Sequence, residues 1–312
     1  MDVVNSLNED DRSALLEGLE VHSLIAELVI KIDAEKIFRR APQPVVPELR
    51  GSGPIPAISR DDYMNALAQK AAGTHAAIRL LAEQGLGEDA LALCRVLVEN
   101  CILVEWISRE PIYRLELFAL SLFQSQQRLI KIIKEHYVER PELLEAAERM
   151  NQWARDKSLE LFGDSQSKWA RIKNRNGDLV TATLSDIFDE VARPKEHGDG
   201  DKVNPSPPNK TKSFVKEFVY FRLSAFVHST ASSVIRTIKR LKYTPHFSVA
   251  ADLHAEHSLE AIRIANLSML VVVSELNNYC GAGIDAEIDA LHARLKARSA
   301  TEQADSNRTE KS

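Results

Sequence analysis

Cysteine is scarce in this sequence: 312 residues contain three, Cys94, Cys101 and Cys280, each inside an apolar run and none in a C-x-x-C pair. That spacing excludes a disulfide scaffold and a cysteine-rich zinc module, and it suits reduced, buried thiols of a cytosolic protein. Long apolar runs are also missing. The longest, Leu267 to Val273 with Ser268 inside it, falls far short of the roughly 20 residues a bilayer span needs. Residues 1–12 are acidic and polar, so no secretory signal is expected there. Excess positive charge is absent too. Lys and Arg total 40 against 45 Asp and Glu, a formal charge of -5, which argues against coating nucleic acid through the overall field and leaves room only for a local basic patch. There is no P-loop, no dinucleotide-binding glycine pattern, no G-x-S-x-G and no H-E-x-x-H, so nucleotide hydrolysis, hydride transfer, serine hydrolysis and zinc proteolysis lack support.

What is present is helical periodicity. A composition of 44% hydrophobic and 27% charged residues suits a folded chain. Apolar residues recur at helical spacing in nearly every segment, and no stretch shows sustained alternation bounded by hairpin turns. The fold class is all-α, a multi-helix bundle. Helices are expected at about 9–38, 59–84, 87–108, 112–136, 141–162, 183–192, 212–243, 258–281 and 285–298, with Pro111 and Pro141 near helix starts, where proline is tolerated. Three segments break the pattern. Residues 41–58 are rich in Pro and Gly and predict an extended connector. Residues 193–213 have almost no apolar side chains and predict a mobile loop, and the polar end of the chain predicts a frayed tail. The expected organisation is an N-terminal helix with its connector over 1–58, a helical bundle over 59–298, and a disordered tail over 299–312.

Two helices carry polar residues that their apolar surroundings do not explain. The first reads EDALALCRVLVENCILVEW and is interrupted by Arg95 and Glu99. Four residues apart, these lie on one face and can meet. They make either a structural ion pair or a pair kept to hold something polar. The second, around FVKEFVYFRLSAFVHSTASSVIRTIKR, is apolar on almost every side from Phe214 to Val227. Tyr220, Arg222, Ser224 and His228 on it must therefore find partners. Ser224 and His228 share a face. Six residues advance a helix by about 600°, which turns Arg222 about 120° from His228, so the two can flank one cavity without stacking along one line.

Histidine exchanges protons near neutral pH, and a neighbouring arginine holds a phosphate or stabilises developing negative charge. That pairing suits RNA cleavage, in which a 2′-hydroxyl loses a proton, a 5′-oxygen gains one, and the phosphorane between them needs a cation. One His and one Arg are thin equipment, so a second copy from a symmetric partner would help. The competing reading is a hydrogen-bonded core histidine beside an arginine whose head reaches solvent. The spacing alone is unspecific, since it recurs at Arg240 and His246, where Pro245 argues against a helical site. His254 and His257 have a spacing a metal can use but little carboxylate or thiolate company, so no metal is expected. The cluster Arg236, Lys239, Arg240 and Lys242 either steers an acidic ligand or is an ordinary basic helix C-terminus.

LCRVLVENCILVEWI, VYFRLSAFVHST and AIRIANLSMLVVVSELNNYCG together resemble a family of helical bacterial proteins of unknown function, over about 60 to 282. Its recognisable patterns, Arg-x-x-x-Glu and a Tyr, Arg, Ser, His series, are matched by Arg95, Glu99, Tyr220, Arg222, Ser224 and His228, approximately around the serine. The Arg-x5-His element also resembles the signature of the HEPN (higher eukaryote and prokaryote nucleotide-binding) ribonucleases, a helical superfamily of toxins and phage-defence effectors. That resemblance implies a HEPN-like core and metal-independent cleavage of RNA at a composite homodimer site, with His228 as acid or base and Arg222 on the phosphate. It departs from the HEPN pattern at Leu223, where those enzymes prefer a polar residue. The expectation is a cytoplasmic endoribonuclease without cofactor, with Arg222 and His228 catalytic and Arg95, Glu99, Tyr220 and Ser224 in support around one cavity that loop 193–213 covers. The alternative is a non-catalytic module with a buried Arg/Glu/His network that binds a small anion, a nucleotide or a partner protein.

Overall fold

The computed structural model describes residues 9–32, 44–49, 57–110, 114–118, 126–136, 139–162, 171–173, 179–181, 187–188, 190–191, 223 and 255–309. The protein is an all-α helical assembly. Its described helices are α1 (Glu9–Lys31), α2 (Arg60–Glu83), α3 (Gly87–Arg109), α4 (Gln126–His136), α5 (Pro141–Phe162), α6 (Ala255–Cys280) and α7 (Asp285–Thr309). No helix among the described residues is long and apolar enough to cross a membrane. The chain divides into two compact units, one formed by Met1–Ile37, Leu67–Glu105 and Lys210–Ser312, the other by Phe38–Ala66 and Trp106–Asn209.

In the first unit α1 packs along α6. Leu15, Leu19, Ile25 and Leu28 recur at helical spacing on α1 and are buried, as are Ile262, Ala265, Met269, Val273 and Leu276 on α6. The two helices are in tight contact at Gly18, where a Cβ would sit 2.9 Å from Ile262 Cγ2. The α6–α7 corner is built on Asn277. Its amide donates to Asp285 Oδ1 at 2.9 Å and its carbonyl oxygen accepts the Ile284 N–H at 3.2 Å, while Gly281 and Gly283 supply the left-handed backbone the turn needs. Arg294 on α7 ties back to Glu20 and Glu17 on α1. α1 is therefore part of this core. The apolar face of α1 has its complement on α6, far away in sequence.

In the second unit α4 and α5 pack as a pair, burying Ile133 and Ala147. The start of α2 is fixed by a reciprocal cap in which Ser59 N–H donates to Asp62 Oδ2 at 2.7 Å and Asp62 N–H donates to Ser59 Oγ at 3.2 Å. The Pro/Gly-rich connector carries short strands at its ends, β1 (Pro44–Val46) and β2 (Ile58–Ser59), paired antiparallel. A hairpin not expected from the sequence, β3 (Arg171–Lys173) with β4 (Leu179–Thr181), is also present. Its signal in the sequence is Asn176-Gly177, a favoured hairpin dipeptide, flanked by the β-branched residues Ile172 and Val180.

Other boundaries differ modestly. α1 has its described end at Lys31, and residues 33–43, including the expected continuation to 38, lie outside the described residues. Within the expected 112–136 helix, 114–118 and 126–136 are helical, and within 183–192 so are 187–188 and 190–191. α7 runs past the expected end at 298 to Thr309, because Ala, Arg, Glu and Gln favour helix even where no apolar stripe marks it. Part of the expected disordered tail is thus helical backbone. Loop 193–213 lies outside the described residues, as does the expected helix 212–243 except for Leu223.

The Gly18 contact yields a paired prediction. Gly18→Ala is expected to destabilise the protein by about 1–3 kcal/mol through overpacking against Ile262. Gly73→Ala, on exposed helix with nothing within 4 Å of the new Cβ, is expected to stabilise it by about 0.5–1 kcal/mol. Thermal melting of both variants checks the contrast; equal effects would contradict it.

Candidate functional site

α3 is buried on most of its circumference, with Leu91, Cys94, Leu97, Val98 and Ile102 inside. The exception is a half-buried stripe that carries Glu88, Arg95 and Glu99, residues spaced so as to fall on one helical face. Arg95 Nε donates to Glu99 Oε1 at 3.1 Å, with the two side chains 19% and 30% exposed. The expected meeting of these residues occurs, and their exposure places the pair between a solvated edge and a fully desolvated core. At the start of the stripe His257 Nδ1 lies 3.9 Å from Glu88 Oε1, an ion pair only when the ring is protonated.

Tyr220, Arg222, Ser224, His228 and His254 lie outside the described residues, and so does the cavity expected between their helix and α3. Leu223, between Arg222 and Ser224, is helical and 1% exposed. The three cysteines are free and buried, and Cys94 donates to the Ala261 carbonyl. Among the described residues no group of three or more His, Cys, Asp or Glu side chains could hold a metal ion.

Two polar clusters were not singled out in the sequence. In the first unit His22 of α1 and His75 of α2 stack face to face, their centroids 3.4 Å apart and their planes 7° from parallel. Both are 2% exposed. Asn266 of α6 lies with Oδ1 3.2 Å from His75 Nε2 and donates its amide to the Gly18 carbonyl at 2.9 Å. Arg79, one turn beyond His75, donates to Ser23 Oγ at 2.6 Å and to Glu83 Oε1 at 2.7 Å. Burial, then the neighbouring His75 and Arg79, pushes His22 down to about 3 against a raising hydrogen bond from Asn266. Burial also lowers His75 to about 4, with Asn266 opposing and Arg79 assisting. Asn266 had a visible signal, a polar residue within the apolar run AIRIANLSML; the histidines had none, since each stands alone in its helix.

In the second unit Glu190 gathers three partners. It accepts from Trp106 Nε1 at 2.9 Å and from an Arg114 terminal nitrogen, while Arg109 donates to its main-chain carbonyl at 2.9 Å. Arg114 also donates to the Trp106 carbonyl at 2.7 Å, and its guanidinium lies over the Trp106 ring, 5.3 Å from the centroid. Arg114 is 11% exposed and Glu190 25%, so the charges are strongly, though not wholly, desolvated. The arrangement fastens the 187–191 segment to the end of α3 and has the character of a structural anchor. Glu190→Ala is expected to destabilise the protein by about 2–3 kcal/mol by leaving Arg114 and Trp106 short of an acceptor. Chemical denaturation measures this, and a loss below about 0.5 kcal/mol would show the anchor to be dispensable.

Residues 61–242 match the family of unknown function DUF5677. No curated protein and no solved structure matches the chain. The matched region contains Arg95, Glu99, Tyr220, Arg222, Ser224 and His228, and it ends before α6, so the resemblance read in the sequence extends further than the match. It covers more than half of the 312 residues, and the chain belongs to the family of unknown function DUF5677.

Proposed function

We propose that this protein is a HEPN-like, metal-independent endoribonuclease that acts as a homodimer on RNA, in phage defence or as a toxin in growth control. The observation that carries the proposal is the Arg222-x5-His228 spacing in an apolar segment of the family region. The buried, helical Leu223 supports a helical setting for it. His228 would take the 2′-hydroxyl proton or deliver one to the departing 5′-oxygen, and Arg222 would balance the charge that builds on the phosphoryl oxygens. The 2′-oxygen bonds to phosphorus as the bond to the 5′-oxygen breaks, leaving a 2′,3′-cyclic phosphate and a 5′-hydroxyl. A single imidazole serves one of the two proton transfers, and the second chain of a dimer supplies the other. Arg95, Glu99, Tyr220 and Ser224 would support the site.

A second reading has its own supporting observation. Arg95 is engaged by Glu99 within α3, as suits a non-catalytic module whose polar network holds the bundle together or binds a small anion or partner protein. The two readings separate in one experiment, incubation of total RNA in EDTA with wild type, Arg222→Ala and His228→Ala, alongside thermal melting of all three. The ribonuclease reading predicts cleavage by wild type, a loss of at least about 100-fold in each variant, and similar melting temperatures. No cleavage by wild type, with both variants melting several degrees lower, would leave the binding module.

A further inference from the structure

The stacked histidines lie where three helices meet. His22 comes from α1 one turn after Gly18, which leaves no room for a Cβ against Ile262 of α6. His75 comes from α2, and the Asn266 amide bridges the pair to the Gly18 carbonyl from α6. Among the described residues, the charged group acting on the rings from α2 is Arg79, the facing group from α6 is the neutral Asn266, and no titratable group of α1 acts on them besides His22 itself. Glu83 is taken up by Arg79. Among the described residues no carboxylate therefore neutralises a charge on either ring. His22 Nδ1 is buried without a hydrogen-bond partner. A proton added to either imidazole would put a cation against a second ring at stacking distance, close to a guanidinium and away from water.

We propose that the His22–His75 stack is an acid-operated release for α1: neutral rings hold α1 on α2 and α6, and a proton on either ring frees it while the other compact unit stays folded. The sign follows from the neutral preference of the native rings. Their stabilisation is complete above the ordinary histidine value of about 6.5 and is lost as pH falls toward the native values of about 4 for His75 and about 3 for His22. Each ring then favours the open form by about 30-fold at pH 5, and the two together by about 1,000-fold. The selectivity has a structural basis. In the second unit the polar anchor is an Arg/Glu/Trp cluster without histidine, and its described histidine, His136, is exposed.

The test is amide hydrogen exchange of the full-length protein at pH 7.5 and 5.0, corrected for the intrinsic rate. Protection of the α1 segment Leu15–Leu28 should fall by two to three orders of magnitude while α5 keeps its protection. In His75→Gln the drop in α1 should shrink to about 30-fold. Unchanged protection of α1 at pH 5.0, or an equal loss in α1 and α5, would overturn the proposal. Should His75→Gln fail to fold, ring-nitrogen NMR of the wild type decides. Native rings that remain neutral at pH 5 agree with it; either ring charging near 6.5 without loss of α1 protection refutes it.

Discussion

The close approach of α1 and α6 at Gly18 is the constraint on which much of the first unit depends. A side chain there would collide with Ile262, and its absence lets the Gly18 carbonyl meet the Asn266 amide. An amide buried in an apolar interface is costly without partners. Asn266 finds one in the α1 backbone and another in His75. The polar cluster thus goes with the close packing: moving the helices apart to admit a Cβ would lengthen the bond from Asn266 to the Gly18 carbonyl. Arg294 and Glu20 reinforce the same geometry at the surface, where an exposed ion pair contributes little by itself.

The second unit solves a related problem with charge. The short 187–191 segment lacks the length to be stable as an isolated helix. Ile187, Phe188 and Val191 are buried, and Glu190 with the carbonyls beside it is taken up by Arg109, Arg114 and Trp106. Packing and anchoring together order a segment that propensity alone would not.

Much of the fold was legible because its cause is periodic. Apolar residues at helical spacing located α2, α3, α5 and the bulk of α6 to within a few residues, and the meeting of Arg95 with Glu99 followed from their separation by one turn. The rest depends on contacts distant in sequence. Nothing near His22 announces His75, and nothing near Gly18 announces Ile262, so the docking of α1 on α6 and the histidine stack required three dimensions. The β3–β4 hairpin has a signal in Asn176-Gly177, but its three-residue strands are too short to show sustained alternation. Of the candidate site, the structure describes Arg95 and Glu99; Tyr220, Arg222, Ser224 and His228 stand on the sequence and the family match. The ribonuclease proposal for them rests on residue type and spacing.

For the proposed ribonuclease reaction, the chemistry of the RNA ends is decisive. Transfer to the neighbouring 2′-oxygen requires no metal and leaves a 2′,3′-cyclic phosphate on one fragment and a 5′-hydroxyl on the other. Mass spectrometry of a short synthetic RNA, incubated with the purified protein in EDTA, is predicted to find this pair of ends, and to find an RNA with a 2′-deoxy nucleotide at the cleavage site intact. Fragments bearing 5′-phosphates, or cleavage of the deoxy-substituted RNA, would contradict the account.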